Sequence, residues 1–240
     1  MNSRSEQSGN SKSERVVNGL TLSPGADLTG ADLTETDLTN LDFTNTNLNG
    51  ASLSGANLGG AKLFSADLSG ATLSGANLSG ANLTGAEISG GNLSFADLTD
   101  ANLTGANLTG ASLVEANITQ ADLSGANLSD ADLTDANLTD ANLIGTNLTG
   151  ADLRGVNLTG ADLRGANLTS VNLSSANLTG ANLYGANLRS ANLTNSNLTG
   201  TNLTGTNLTE SNLTGSNLTG VDLNFADLTD AIMSDGTTND

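Results

Sequence analysis

Carboxylates are the only side chains in this sequence with the numbers and spacing to do chemistry. The stretch DADLTDANLTD crowds Asp130, Asp132, Asp135 and Asp140 into one short run, with Asp122, Asp152 and Asp162 close by. Such a density suggests calcium, which takes many oxygen ligands at once. The spacing argues otherwise. The run lacks the turn glycine and the ligand positions of an EF-hand loop, and Leu133 and Leu138 must point inward. A solvated acidic band is the expectation. The chain has neither Cys nor His. That removes thiol nucleophiles, disulfides, the commonest general base and the commonest metal ligand. No phosphate-cradling motif is present. The residue types point to a protein that is not an enzyme and takes no cofactor or metal.

Charge narrows the partners. The 25 acidic residues outnumber the 7 basic ones, for a net charge of -18. Such a surface repels nucleic acid, whose affinity comes mostly from Lys and Arg, and it favours solubility or basic partners. No apolar run approaches the length of a membrane span. The opening MNSRSEQSGNSKSER lacks the apolar core of a signal peptide, so the cytoplasm is the expected location.

What positions the carboxylates is a five-residue ruler. From Leu28 every fifth residue is large and apolar, through Leu33, Leu38, Phe43 and Leu48 to Leu228 and Met233, without a slip. Ala stands two residues before most of these positions and Asn or Asp one before. Thr or Ser stands one after and Gly usually two after. Neither a helix nor a single amphipathic strand has this period. Within a unit, Ala and Leu are two apart and share one side of a short extended segment. The fifth residue is then a corner, where Gly accepts turn dihedrals. Short extended faces joined by corners bury their apolar side only by closing around an axis and stacking.

These residues carry a resemblance. ADLTGADLTETDLTN and GANLTGANLTGA resemble the A-(D/N)-L-x-x motif of the pentapeptide-repeat family, in fixed phase over about residues 26–233. The resemblance implies an all-β fold, a right-handed quadrilateral β-helix of about ten coils, with four units per coil and Leu and Ala pointing inward. The expected core includes Leu28, Phe43, Leu78, Leu128, Leu178 and Leu228. Residues 1–15 read as a disordered polar tail. Residues 16–25 read as an N-terminal capping segment, either a lead-in strand or a hairpin around Asn18-Gly19. Residues 234–240 read as a C-terminal tail or cap. AIMSDGT, Ala231 to Thr237, resembles the family's closing M-P-D-G segment, with Ser234 where Pro is usual.

Four units per coil convert the sequence into columns of residues 20 apart. Asn117, Asn137, Asn157, Asn177, Asn197 and Asn217 form one, and Asn107, Asn127, Asn147, Asn167, Asn187 and Asn207 another. Stacked amides donate and accept along the axis, whereas stacked carboxylates repel. The first coil instead carries Asp27, Asp32, Asp37 and Asp42, one per face. Ser196, Thr201, Thr206, Ser211 and Ser216 replace inward Ala, where small hydroxyls can bond backbone carbonyls.

Function must lie in departures from monotony. Ile144, Arg164 and Tyr184 fall in one outward column of three successive coils, and Phe95 takes a corner where Gly is usual. Tyr and Arg are favoured at binding hot spots, so these four residues are the candidate partner surface. Phe225, Ile232 and Met233 lie at the C-terminal end, which exposes core and strand edges unless something covers it. Either the tail or a second copy does so, and a homodimer is the expectation. The leading functional reading is a non-catalytic scaffold or interaction module with a protein partner. The alternative comes from the resemblance: some members imitate duplex DNA, bind type II topoisomerases and protect them from quinolones. That reading makes this chain a DNA mimic that binds DNA gyrase or topoisomerase IV. The chain departs from it in lacking any acid between Arg164 and Thr209.

Overall fold

The computed structural model describes residues 15–239, and from Ala26 onward they form a single right-handed quadrilateral β-helix. The expected polar tail lies outside the described residues except for Arg15. Each unit contributes one bridge to the unit 20 residues ahead, from Asp27 with Asn47 to Asn212 with Ile232, always parallel and always in phase. Four faces and four corners per coil are the direct result.

The backbone explains the five-residue period. In the unit Ala96 to Asp100, the N–H of Ala96 closes a turn onto the Leu93 carbonyl at 3.0 Å. Asp97 donates down to Ala76 at 2.9 Å, while Leu98 and Asp100 donate up to Asn117 and Thr119 at 2.7 and 3.0 Å. The remaining N–H, of Thr99, has no partner coil. It donates to its own neighbour's side chain, Asp97 Oδ1, at 3.0 Å. The Asn or Asp before each Leu is therefore an Asx-turn acceptor that completes the hydrogen bonding of the unit. Its second role is the expected ladder. Asn157 donates to Asn137 Oδ1 at 3.1 Å and to Thr139 Oγ1 at 2.8 Å, and Asn177 repeats this one coil higher. The Thr hydroxyl relays: it donates to its own Asn and accepts from the Asn above.

Corners take a positive φ whatever residue stands there. Gly125 has φ 64, but so do Gln120 at 59, Asp135 at 57 and Phe95 at 62. A left-handed corner disfavours side chains by about 1 kcal/mol, so the stack imposes the geometry on these residues. Inside, Leu28, Phe43, Leu78, Leu128 and Leu178 are buried as expected. Leu228 is only partly buried, a departure from its expected core role. It lies in the last turn of chain and has no full coil above it. Each buried Leu contributes on the order of 1.5–3 kcal/mol gross, largely offset by chain ordering.

Both ends are hairpins. β1 (Arg15–Val17) and β2 (Leu20–Leu22) pair antiparallel around Asn18 and Gly19, whose φ values of 51 and 79 suit a two-residue primed turn. Buried Leu22, with Val17 and Leu20, closes the bottom of the core, and Arg15 reaches Asp37 at 3.6 Å. Hydrogen bonds from Thr29, Thr34 and Thr39 hold the first-coil carboxyls of Asp27, Asp32 and Asp37 below the ordinary carboxylate range. At the top, β3 (Ala231–Ile232) pairs with β4 (Thr238–Asn239), so Ile232 bonds Asn212's strand on one side and the folded-back tail on the other. The tail thus covers one face and leaves Leu218, Val221 and Leu223 partly buried. Among the described residues, the N–H groups of Leu218, Gly220, Leu223 and Phe225 have no backbone acceptor.

The two roles of the Asn position can be separated at Asn157. Asn157→Ala loses both and should cost about 1–2 kcal/mol by urea denaturation. Asn157→Asp keeps the acceptor for Thr159 but loses the donor, setting a carboxylate against Asn137 Oδ1. The new carboxyl should have a raised pKa. Its penalty should be full at neutral pH and fade as pH falls through that raised value, because the protonated acid can donate again.

Candidate partner-binding face

Outward departures from Thr or Ser are few on three of the four faces: Asn49 and Arg189 on the first, Val114 and Arg154 on the second and Gly59 on the third. On the third, the outward position after Leu reads Thr99, Thr119, Thr139, Thr159, Thr179, Thr199 and Thr219, each hydroxyl bonded to its own Asp or Asn. The fourth face, with units starting at Leu41, Ala61 and so on to Val221, breaks the pattern. Its outward column carries Phe64, Ile144, Arg164 and Tyr184, and the corner that closes it ends in Phe225. Exposure is 45% for Phe64, 55% for Tyr184 and 90% for Phe225. Phe95, 58% exposed, closes the second face instead. The structure therefore unites Ile144, Arg164 and Tyr184 and separates Phe95 from them.

The united three are fixed by the same bonds as every other unit. The N–H groups of Ile144, Arg164 and Tyr184 donate to Asn142, Asp162 and Asn182 Oδ1, each at 3.2 Å. Their carbonyls accept from Gly125, Gly145 and Gly165 at 2.9, 3.0 and 3.1 Å. Arg164 is not a free cation. Its Nε lies 2.9 Å from both oxygens of Asp162 and its terminal nitrogen 2.7 Å from Oδ2. Those bonds pull the Asp162 carboxyl below its ordinary value and raise the Arg164 guanidinium. Arg154 pairs with Asp152 in the same way at 2.8 Å on the opposite face, and Arg189 reaches Glu210 at 2.9 Å.

The acidic band does not converge. Asp122 and Asp162 lie on the fourth face and Asp132 and Asp152 on the second, while Asp130, Asp135 and Asp140 occupy successive corners. Each corner carboxylate leans over a glycine one coil above, where a Cβ at Gly150, Gly155 or Gly160 would push it aside. Among the described residues no group of acids is placed to hold a metal ion.

In the Ser/Thr-lined coil, Ser196, Thr201 and Thr206 donate to the carbonyls of Leu193, Leu178 and Leu203. The hydroxyls of Ser211 and Ser216 are buried without a partner, although equivalent carbonyls lie three residues back in each unit. Sequence reasoning did not single out the Asx acceptor or the Thr relay. Their signal is visible in the Asn or Asp before, and the Thr or Ser after, most central Leu residues.

The profile for pentapeptide repeats matches along the chain, over residues 26–64, 61–94, 92–130, 131–169, 157–195, 166–205 and 196–235. No curated protein matches the chain significantly. Among solved structures the chain is similar to HetL, a pentapeptide-repeat protein involved in heterocyst differentiation regulation in the cyanobacterium Nostoc sp. strain PCC 7120. The two are 36% identical over 87% of this chain and 93% of HetL, with a TM-score of 0.64. It is also similar to a pentapeptide-repeat protein of the Arabidopsis thaliana thylakoid lumen, at 39% identity over 41% of this chain and 68% of that one, TM-score 0.40. QnrB1, a plasmid-mediated fluoroquinolone resistance protein, is 21% identical over 84% of this chain and 91% of its own, TM-score 0.48.

Because the Arg164–Asp162 pair is exposed, Arg164→Ala should change stability by less than about 0.5 kcal/mol. Titration monitored by carboxyl NMR should show the Asp162 midpoint rising towards the usual value of about 3.9. An unmoved midpoint would mean that another group holds it down.

Proposed function

The chain belongs to the pentapeptide-repeat family, and on that basis we propose that it is a non-catalytic interaction rod whose protein partner seats on the fourth face. One observation carries the reading. The core is filled by Leu and Ala along its length, while most of the large outward side chains collect on this one wall. Ile144, Arg164 and Tyr184 supply the contact, with an Arg and a Tyr of the kind that dominate binding energy. The likeness to HetL, described as involved in differentiation regulation, supports a regulatory adaptor rather than a metabolic role.

The C-terminal end is a second contact in this proposal. Its unpaired N–H groups, half-buried Leu218 and Leu223, and exposed Phe225 suit a second copy docked end to end. Ile232 and Met233, the other residues expected there, are partly occupied by the chain's own tail. Sedimentation should show a dimer that weakens at least tenfold in Phe225→Ser. Because Asp222, Asp227 and Asp230 crowd that end, added salt should strengthen the dimer by screening them. A monomer at all salt concentrations would remove this contact.

The wall itself is tested by placing a photo-crosslinking residue at Tyr184 and, as a control, at Val114 on the second face. Exposed to an extract of the native host, the first should trap one discrete protein, and Ile144→Asp should abolish it. Equal trapping from both positions would defeat the reading. The same preparation added to a DNA gyrase supercoiling assay separates the DNA-mimic alternative, which requires inhibition or quinolone protection at micromolar concentrations.

A further inference from the structure

We infer that the partner segment on the fourth face is an amphipathic α-helix with basic flanks, lying along the rod axis across Ile144, Arg164 and Tyr184. This rests on the reading of that face as the contact wall and names what it takes.

The first argument is the hydrogen bonding of the wall. On this face the N–H groups of Asn142, Leu143 and Gly145, and likewise of Asp162, Leu163 and Gly165, all reach the coils above or below. The outward N–H groups of Ile144, Arg164 and Tyr184 are held by Asx side chains. Among the described residues no strand edge runs along this face of the rod, so an extended segment cannot add itself there as a strand. A partner must arrive with its own backbone bonds already made, and a helix does.

Spacing is the second argument. Coils stack at about 4.8 Å, so Ile144 and Tyr184, two coils apart, are separated by roughly 10 Å. Two turns of helix advance about 10.8 Å, which lets residues seven apart meet both. An extended chain repeats one side every ~6.6 Å and falls out of step after one coil. From Ile144 to the level of Phe225 is four coils, about 19 Å, the length of a helix of roughly 13 residues.

Charge gives the third. Near the lower end of the stripe lie Asp122 and Asp140, and near the upper end Asp222. The cations of this stretch, Arg154, Arg164 and Arg189, are each paired with an acid of the chain itself. A net charge of -18 disfavours a second copy on this wall and any phosphate backbone. Lys or Arg on the flanks of an incoming apolar stripe meets complementary charge.

Tyr184 makes the test direct. It is the only Tyr in a chain without Trp, so intrinsic fluorescence reports from this face alone. Two display libraries would be selected against the intact protein, one of 15-residue basic amphipathic helices and one of unconstrained peptides of equal net charge. Helical binders are expected to enrich, to perturb Tyr184 fluorescence saturably, and to bind at least tenfold more weakly to Ile144→Asp but equally well to Val114→Asp. Circular dichroism of both proteins checks that each variant keeps its fold. Enrichment of extended binders alone, helical binders indifferent to Ile144→Asp, or no binders at all would overturn the inference. If crosslinking from Tyr184 still traps a protein in those cases, the contact wall survives and only its helical occupant fails.

Discussion

The rod depends on one bond above all, from the N–H of each central residue to the carbonyl nineteen positions ahead. It runs from Leu28 with Asn47 to Leu213 with Ile232, missing only at Leu203, at distances of 2.6–2.9 Å. Because it joins each coil to the next, it fixes the stacking and the phase of everything else. Central side chains are superposed by it, so they fill the axis. Outward residues are superposed too, so Asn amides and Thr hydroxyls line up into ladders. Corners are locked into the left-handed region by it even when they are Gln120 or Phe95. A residue with its own conformational preference has little say once both neighbours above and below are fixed.

Much of this was legible in the sequence because the period is free of insertions. Leu every fifth residue and Ala two before it were enough to place both inward, whereas the four units per coil behind the twenty-residue columns came from the family resemblance. The Asn columns were foreseen as a ladder. Their other role, accepting the N–H after Leu, was not, since it needs the position of a backbone group that points away from both adjacent coils. The ends were the least legible. Leu228 has the same letters around it as any interior Leu, yet lies half-buried because burial at an end depends on whether another coil is stacked above it. Between residues 16 and 22 the five-residue phase is absent. Only Asn18-Gly19 hinted at the hairpin that closes the core with Leu22.

The candidate face was legible as a column but not as a contrast. Ile144, Arg164 and Tyr184 could be aligned from their numbers. That Phe64 and Phe225 belong to the same side, and Phe95 to another, emerges from tracing each corner to its face. The pairing of Arg164 with Asp162 two residues back also changes its meaning. It becomes a guanidinium held by its own neighbour, part of a prepared surface rather than a free positive charge. A wall whose main-chain groups are satisfied is chemically quiet, and whatever stands out from it is distinguished against that background.

Four units per coil give residue number a geometric meaning in this molecule. A change of twenty moves a side chain one storey along the axis without turning it, and a change of five turns it through a quarter revolution. Gaining or losing twenty residues between Ile144 and Tyr184 would stretch or shorten their stripe and keep it on one side. Gaining or losing five would swing Tyr184, and everything beyond it, onto an adjacent side while leaving the interior packing almost untouched. The rod can grow by whole storeys and keep its address, whereas a single unit readdresses the rest of the chain.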